Sequence, residues 1–517
     1  MSVATWTGNC TRCHRENVKV CSRRTHGERV LCGDCAATPY TIPPASGPEA
    51  PPATGNEMAA REPATSNDRP RASARGDTAN ARRFVHEHGA RLRHVAQRRR
   101  WLRWGGWRWV DDATGDADRG AKQTARNLLR EAAAVENEQA RKDALKWAVT
   151  SQNEPRIRAM LTLAATEPEL VVSADDLDTA TYLLACPNGT VDLRTGNLRA
   201  PSAADLITRG TTVRYEPAAE CPRWERTLGE VFDGDDDLIA FFQRWAGYSL
   251  TGDTGEHVIA VLHGAGCNGK TTIVETIKRL AGDLAVTAAF DTFARARGDR
   301  GPRNDLARLA GARIVVGSES GEGRRLDEAT LKEITGGDRI AARFLYGEHF
   351  EFRPAFKLWL VTNHLPRVDG DDNAIWRRLR LIPFDVSFEG REDRTLIAQL
   401  ERELPGILAW AVRGCLDWQH HGLGQASAVE HATRAYRQDE DLLGAFLAER
   451  CGTGGEAPAR DLRAAFDAWA AECGERSMSG AALGKRLAKR GIHAVRRAKG
   501  QRVYIGIHLD RVTGDGR

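Results

Sequence analysis

An α/β fold built on parallel strands is the architecture this sequence predicts, and three observations carry it. The apolar run His257-Val258-Ile259-Ala260-Val261-Leu262 leads into a glycine-rich segment, and Thr272 to Leu280 then follows with the apolar spacing of a helix. Ala312 to Ser318 is a second short apolar run, ending at Glu319. Phe356 to Thr362 is a third, ending at Asn363. Short apolar runs that each stop at a polar residue read as buried parallel strands with chemistry at one end.

The first of these units is the most specific. Gly264-Ala265-Gly266-Cys267-Asn268-Gly269-Lys270-Thr271 is a complete G-x-x-x-x-G-K-[ST] loop, followed by Thr272 at the helix start. Its glycines let backbone N–H groups close around phosphate oxygens, Lys270 is placed for the β- and γ-phosphates, and the Thr271 hydroxyl suits Mg²⁺ at the positive end of the helix. The pattern predicts ATP with magnesium. Glu319 is then the candidate water-activating or Mg²⁺-orienting acid, and Asn363 the amide that senses the γ-phosphate or positions the attacking water. Between them, Arg339 to Phe352 reads as a hairpin turning at Tyr346-Gly347-Glu348-His349. Arg377 and Arg378 follow, just before the apolar run Leu379 to Phe384, and are candidates for a transition-state finger.

The order GAGCNGKTT, RIVVGSES, LKEITGGDRIAARFLYGEHFEFRP, LWLVTNHLP, AIWRRLRLIPF resembles the superfamily 3 helicase core of phage and plasmid primase-helicases, shared with poxvirus-type NTPases. Cys186 to Gly196, Asp205 to Thr208 and Gly247 to Gly252 resemble the domain that precedes this core, so the likeness covers about residues 82 to 390. It implies a helicase-associated α+β domain at 82–254, an ATPase core at 255–390 and a helical extension at 391–440. It also implies a ring, usually a homo-hexamer, that binds ATP between subunits and translocates on single-stranded DNA. Lys270, Thr271, Glu319 and Asn363 then belong to one subunit, and Arg377 or Arg378 to its neighbour. The hairpin points into the channel, with Arg343, Tyr346 and His349 as DNA contacts; a hairpin that only completes a solvated face is the alternative. Many members of that superfamily carry two adjacent acids after the second strand. Here the pair is Ser318-Glu319, so that role rests on Glu319 alone.

The chain has 517 residues, enough for several domains, and 41% of them are hydrophobic. Its charge of +5 is the difference between 75 basic and 70 acidic residues, a weak pointer to nucleic acid; the basic stretches Arg91 to Arg103 and Lys485 to Arg502 say more. No stretch has transmembrane length and no secretory signal opens the sequence, so a cytoplasmic protein without membrane contact is expected. Among eleven cysteines, Cys10-x₂-Cys13 and Cys32-x₂-Cys35 have the spacing of a tetrahedral zinc site, predicting a zinc ribbon at 1–37. A disordered cysteine-containing leader is the alternative. Residues 38–81, rich in Pro, Ala, Gly, Ser and Thr, read as a disordered linker.

Beyond the linker, a basic helix-like segment meets Trp101, Trp104, Trp107 and Trp109, which favour a buried strand pair over a base-stacking surface. Ala121 to Ala165 reads as several amphipathic helices. At 441–517 the order helix, helix, helix, strand suits a winged-helix-like DNA-binding domain, with Lys485, Arg486, Lys489 and Arg490 on the third helix and Arg496, Arg497, Lys499 and Arg502 toward the wing. A helical protein-docking domain is the alternative. Asp176-Leu177-Asp178 has D-x-D spacing but sits where turn-capping carboxylates are ordinary, so any primase, like any polymerase, is expected to be a separate chain. The reading is a replicative helicase acting on single-stranded and forked DNA. An ATP-driven origin-binding or helicase-loading protein is the alternative; a small-molecule P-loop kinase is disfavoured by Asn363, the hairpin and the paired arginines.

Overall fold

The computed structural model describes the backbone of residues 5–8, 18–21 and 31–32, and residues 75–295, 304–318, 321, 323–343, 349–368, 373–474, 477–497 and 500–510 in full. Contacts divide the chain into two units, 1–68 and 69–517. In the first, β1 (Thr5–Gly8), β2 (Val18–Cys21) and β3 (Leu31–Cys32) form an antiparallel sheet in that order. Cys32 pairs with Val20, while Cys10, Cys13 and Cys35 lie outside the described residues.

The second unit opens with α1 (Asp77–His88), so the last residues expected in the linker are helical. Their anchoring explains it: Asn80 and Ala81 are fully buried, and Asn80 Nδ2 donates to Ser151 Oγ at 3.1 Å. Next come β4 (Leu92–Val95), β5 (Arg100–Trp104) and β6 (Trp109–Asp111), then α2 (Asp116–Ala133), α3 (Glu138–Thr150), α4 (Glu154–Ala164) and β7 (Val171–Val172). These strands make one sheet, β6-β5-β4-β7. The strand pair expected around the tryptophans is β5 and β6, while part of the basic segment expected to be helix-like is the strand β4: Val95, Leu102 and Trp109 pack together, and Trp104 meets Trp109 edge-on at 5.4 Å. The D-x-D carboxylates serve turns. Asp176 accepts from Ser173 N at 3.0 Å, and Asp178 accepts from Thr208 N at 2.7 Å and Arg209 N at 3.2 Å.

A small antiparallel sheet follows, β8 (Leu183–Cys186), β9 (Gly189–Asp192) and β10 (Asn197–Arg199), then α5 (Pro222–Val231) and α6 (Asp236–Leu250). The central sheet is assembled from β11 (Ile259–His263), β12 (Ala285–Ala289), β13 (Ile314–Ser318), β16 (Lys357–Thr362) and β17 (Leu379–Pro383), all parallel, in the order β12-β13-β16-β11-β17. Between these strands run α7 (Lys270–Ala281), α8 (Asn304–Ala307), α9 (Glu328–Thr335), the antiparallel pair β14 (Ile340–Arg343) and β15 (His349–Phe352), and α10 (Asn373–Trp376). The near-continuous apolar runs of β11 and β16 follow from burial on both faces. Helices α11 (Leu396–Arg402), α12 (Leu404–His421) and α13 (Ser427–Asp439) come next.

One hydrophobic core runs from Leu184 through α5, α6 and the central sheet to Val429 on α13, so packing does not break at residues 254 and 255, where a domain boundary is expected from sequence. Two buried cations bind that junction. Arg313, just before β13, donates to Leu250 O at 2.7 Å and Leu183 O at 2.8 Å; Lys357 Nζ donates to Thr251 O, and to Asp253 O at 3.1 Å. Burial pushes both below their ordinary pKa, Arg313 to about 10, and the carbonyls at the end of α6 compensate.

The tail has its own core around Phe446, Phe466 and Trp469. It comprises α14 (Leu442–Arg450), β18 (Cys451–Pro458), α15 (Ala459–Glu472), α16 (Gly480–Lys489), β19 (Ala494–Arg496) and β20 (Arg502–Leu509), with a sheet β18-β20-β19. No described helix is long and apolar enough to cross a membrane.

Candidate nucleotide-binding site

The glycine-rich loop leaves the C-terminal end of β11 at the point where the strand order reverses, since β16 lies on one side of β11 and β17 on the other. The register aligns His263 with Thr362 and with Pro383, so the loop starts level with Asn363 and Phe384. It packs against β17: Asn268 Nδ2 donates to Phe384 O at 3.0 Å, and Phe388 N donates to Cys267 O at 2.6 Å. A side chain at Gly264 would put its Cβ 2.2 Å from Phe384 O, which is why that position has none. Gly269, at φ +83°, turns the chain into α7 beside Val231.

Lys270 is buried at 4% exposure, and its ammonium donates to Gly264 O at 2.6 Å, Ala265 O at 2.9 Å and Asn268 Oδ1 at 3.1 Å. Burial lowers its pKa to about 8. Ala265, Gly266, Cys267 and Thr271 are exposed, and Thr272 is half-buried. An ammonium whose partners among the described residues are loop carbonyls and an amide, at the N-terminus of a 12-residue helix, fits a phosphate chain that replaces those partners. Asn363 is exposed one residue beyond β16. Glu319 follows the last residue of β13 and lies outside the described residues. Among those residues, no group of three or more His, Cys, Asp or Glu side chains is arranged to hold a metal ion.

Sequence reasoning missed the residues that share this end of the sheet. His263 is lowered in pKa by burial and by the charge of Lys270, while Asp385 opposes the shift. Only the register of β17 beside β11 brings Asp385 and Phe388 to the loop.

The two arginines are elsewhere. Ile259 is aligned with Leu379 and its N–H donates to Arg378 O at 2.7 Å, so Arg377 and Arg378 sit at the entry of β11, a strand length of roughly 15 Å from the loop. Arg378 is turned inward, donating to Thr335 Oγ1 at 3.0 Å and Ala374 O at 2.7 Å. Arg377 is exposed, and its side chain has no hydrogen bond or ion pair among the described residues.

On the β14–β15 hairpin, Arg343 faces His349 across the strands, and Arg343 Nε is buried without a hydrogen-bond partner among the described residues. Tyr346 lies outside them. On the tail, Lys485 is exposed and Arg486 half-buried on α16. Arg490 is paired with Asp441 and Arg497 with Glu456, so the basic face is smaller than the sequence suggests.

Residues 81–233 match the family described as D5 N terminal like, and residues 262–378 match a family of unknown function, DUF5906. A protein of Acanthamoeba polyphaga mimivirus, provisionally named a helicase, is 27% identical over 296 residues, 53% of this chain and 31% of its own length. One from Frog virus 3 with the same provisional name is 30% identical over 236 residues, 42% of this chain and 24% of its own. An African swine fever virus protein provisionally named a primase is 23% identical over 301 residues.

Over these stretches the chain is similar to viral D5-like primase-helicases. It spans between 24% and 31% of the length of those three relatives. The A form apo structure of the NrS-1 C-terminal region aligns with 60% of this chain and 88% of its own, at 13% identity and a TM-score of 0.36.

Proposed function

We propose that this protein is the motor subunit of an ATP-dependent DNA helicase that works as a ring, usually a hexamer, on single-stranded and forked DNA. The observation that supports it best is the separation of the loop carrying Lys270 from Arg377 by the length of the central sheet. An exposed, unpaired arginine at that distance does not serve its own subunit's nucleotide, but it suits the nucleotide of a neighbour. On this reading Lys270 and the loop backbone hold the triphosphate, Thr271 and Glu319 orient Mg²⁺ and water, Asn363 senses the γ-phosphate, and Arg377 rather than Arg378 is the finger. The magnesium ion supplies charge neutralisation at the β- and γ-oxygens when bound. Arg343, Tyr346 and His349 are the channel contacts, and the tail acts as a winged helix that places Lys485 and Arg486 on DNA.

Arg377→Ala is expected to lower turnover by on the order of 10³-fold while ATP affinity changes little, because a finger acts on charge that develops in the transition state. Mixing that variant with Lys270→Ala subunits should restore hydrolysis. No recovery in demonstrably mixed assemblies would make Arg377 an intrasubunit or structural residue. Single-stranded DNA should stimulate the ATPase, and strand displacement on a forked duplex distinguishes a helicase from a loader, which would hydrolyse ATP without unwinding.

The zinc ribbon belongs to the same proposal, with Cys10, Cys13, Cys32 and Cys35 as thiolate ligands. Replacing Cys10 and Cys35 by Ser should release one zinc ion per chain and spare the ATPase. Wild-type protein that carries no zinc at neutral pH would refute the assignment.

A further inference from the structure

Beside Arg377 lies a cavity of about 670 Å³ between α10, the start of β17 and α13. Four arginines line it, Arg377, Arg380, Arg434 and Arg437, against one carboxylate, Glu430. Phe241, Trp376 and Val429 also line it, and all three are buried. Two of the arginines are tied down: Arg437 donates to Asn373 Oδ1 at 2.5 Å, and Arg380 to Arg377 O at 2.8 Å and Leu379 O at 3.0 Å. The other two, Arg377 and Arg434, are exposed and have no hydrogen bond or ion pair among the described residues. Like charges gathered around one concavity repel each other, and an apolar lining strengthens the field they make. That arrangement suits an oxyanion.

Helix α13 is keyed to the elements that carry Arg377. Tyr436 meets Trp376 edge-on at 5.1 Å, Leu381 N donates to Thr433 Oγ1 at 3.0 Å, and Arg437 reaches Asn373 on α10. Arg434 and Arg377 are therefore carried on elements packed against each other and line the same cavity.

We propose that Arg434 is a second trans-acting residue, reaching the triphosphate bound at the Lys270 loop of a neighbouring copy of this chain. This rests on the ring reading above and extends it to a helix outside the central sheet. A nucleotide's phosphate chain fits better than the backbone of DNA, because the guanidinium groups converge on a concavity instead of spreading along an extended groove.

The test uses full-length Arg434→Ala and Arg434→Lys, with Arg377→Ala and Lys270→Ala as references. Arg434→Ala should lose at least about tenfold in ATP turnover, with ATP affinity and DNA-free thermal unfolding unchanged, and Lys should restore little because it lacks the planar fork. Mixing Arg434→Ala with Lys270→Ala subunits should recover hydrolysis. Unchanged turnover overturns the proposal, as does a loss that mixing fails to restore where Arg377→Ala is restored. A lowered unfolding midpoint in both variants makes Arg434 structural and also overturns it. Weakened single-stranded DNA binding with normal DNA-free turnover assigns the arginine to nucleic acid instead. If Arg377→Ala itself is not rescued, the ring reading fails and this extension fails with it.

Discussion

On the proposed function, Lys270→Ala is expected to reduce ATP turnover to background, a loss on the order of 10²–10³-fold or more, in a protein that remains folded. On that reading the ammonium is the charge that would meet the phosphate chain, exchanging the loop carbonyls of Gly264 and Ala265 that hold it for phosphate oxygens. Its removal does not threaten the fold. A lysine whose pKa is lowered from 10.5 to about 8 works against folding at every pH below about 8, and that cost fades as the pH rises from about 8 toward 10.5. The variant should therefore unfold no earlier than the parent at neutral pH. The same shift sets a pH signature for binding. Below about pH 8 the ammonium is already charged; above it, binding phosphate must take up a proton, and affinity should fall by up to about tenfold per pH unit. Calorimetry at pH 9 in buffers of different ionisation enthalpy would measure that uptake. An affinity flat from pH 7 to 10, or turnover intact in Lys270→Ala, would remove Lys270 from the site.

Gly247→Ala should destabilise the protein by about 3 kcal/mol or more. On α6, a Cβ at this position would lie 2.1 Å from Cys415 N and 2.5 Å from Ala411 O, both backbone atoms of α12. Gly414 answers from the other helix, where a Cβ would fall 2.2 Å from Gln243 O. Neither helix can yield locally, because Phe242 and Trp245 on α6 and Trp410 and Val412 on α12 sit in the core that also holds the central sheet. Gly229→Ala on α5 is the control. Its Cβ would meet nothing within 4 Å, so helix propensity alone should make it neutral or slightly stabilising, by up to about 1 kcal/mol. Denaturant unfolding of the full chain compares the two; a Gly247→Ala variant as stable as Gly229→Ala would mean that α6 and α12 do not approach as closely as described.

Much of this protein is legible in its sequence because much of its signal is local. The glycine loop is a contiguous motif whose backbone demands are met by neighbours in the chain, and apolar spacing marks α14, α15 and α16 within a residue or two of where they lie. The hairpin from Arg339 to Phe352 is likewise visible, because β14 and β15 pair across a short connection. The tryptophans of 101–109 also mark a buried strand pair, seen as β5 and β6, whereas the pairing of the basic stretch before them as β4, beside β7, depends on partners distant in the chain.

What required tertiary structure was the pairing of residues far apart in the chain. The insertion of β16 between β13 and β11, which brings Asn363 level with the glycine loop, is a choice of strand order that no single strand encodes. The placement of Arg377 at the far end of the sheet follows from β17 running parallel beside β11, and what separates Arg377 from Arg378 is Thr335 accepting from Arg378. Arg313 and Lys357 are buried among apolar strand residues, with carbonyls at and just beyond the end of α6 accepting from them, a pairing that no local sequence encodes. Arg434 and Arg437 carry no motif at all, and Arg380 is one arginine of the AIWRRLRLIPF run with no role singled out by it. They converge because α13 packs on the edge strand β17, and a side chain's partners across such a contact are set by the geometry of the whole core rather than by the residues beside it in the chain.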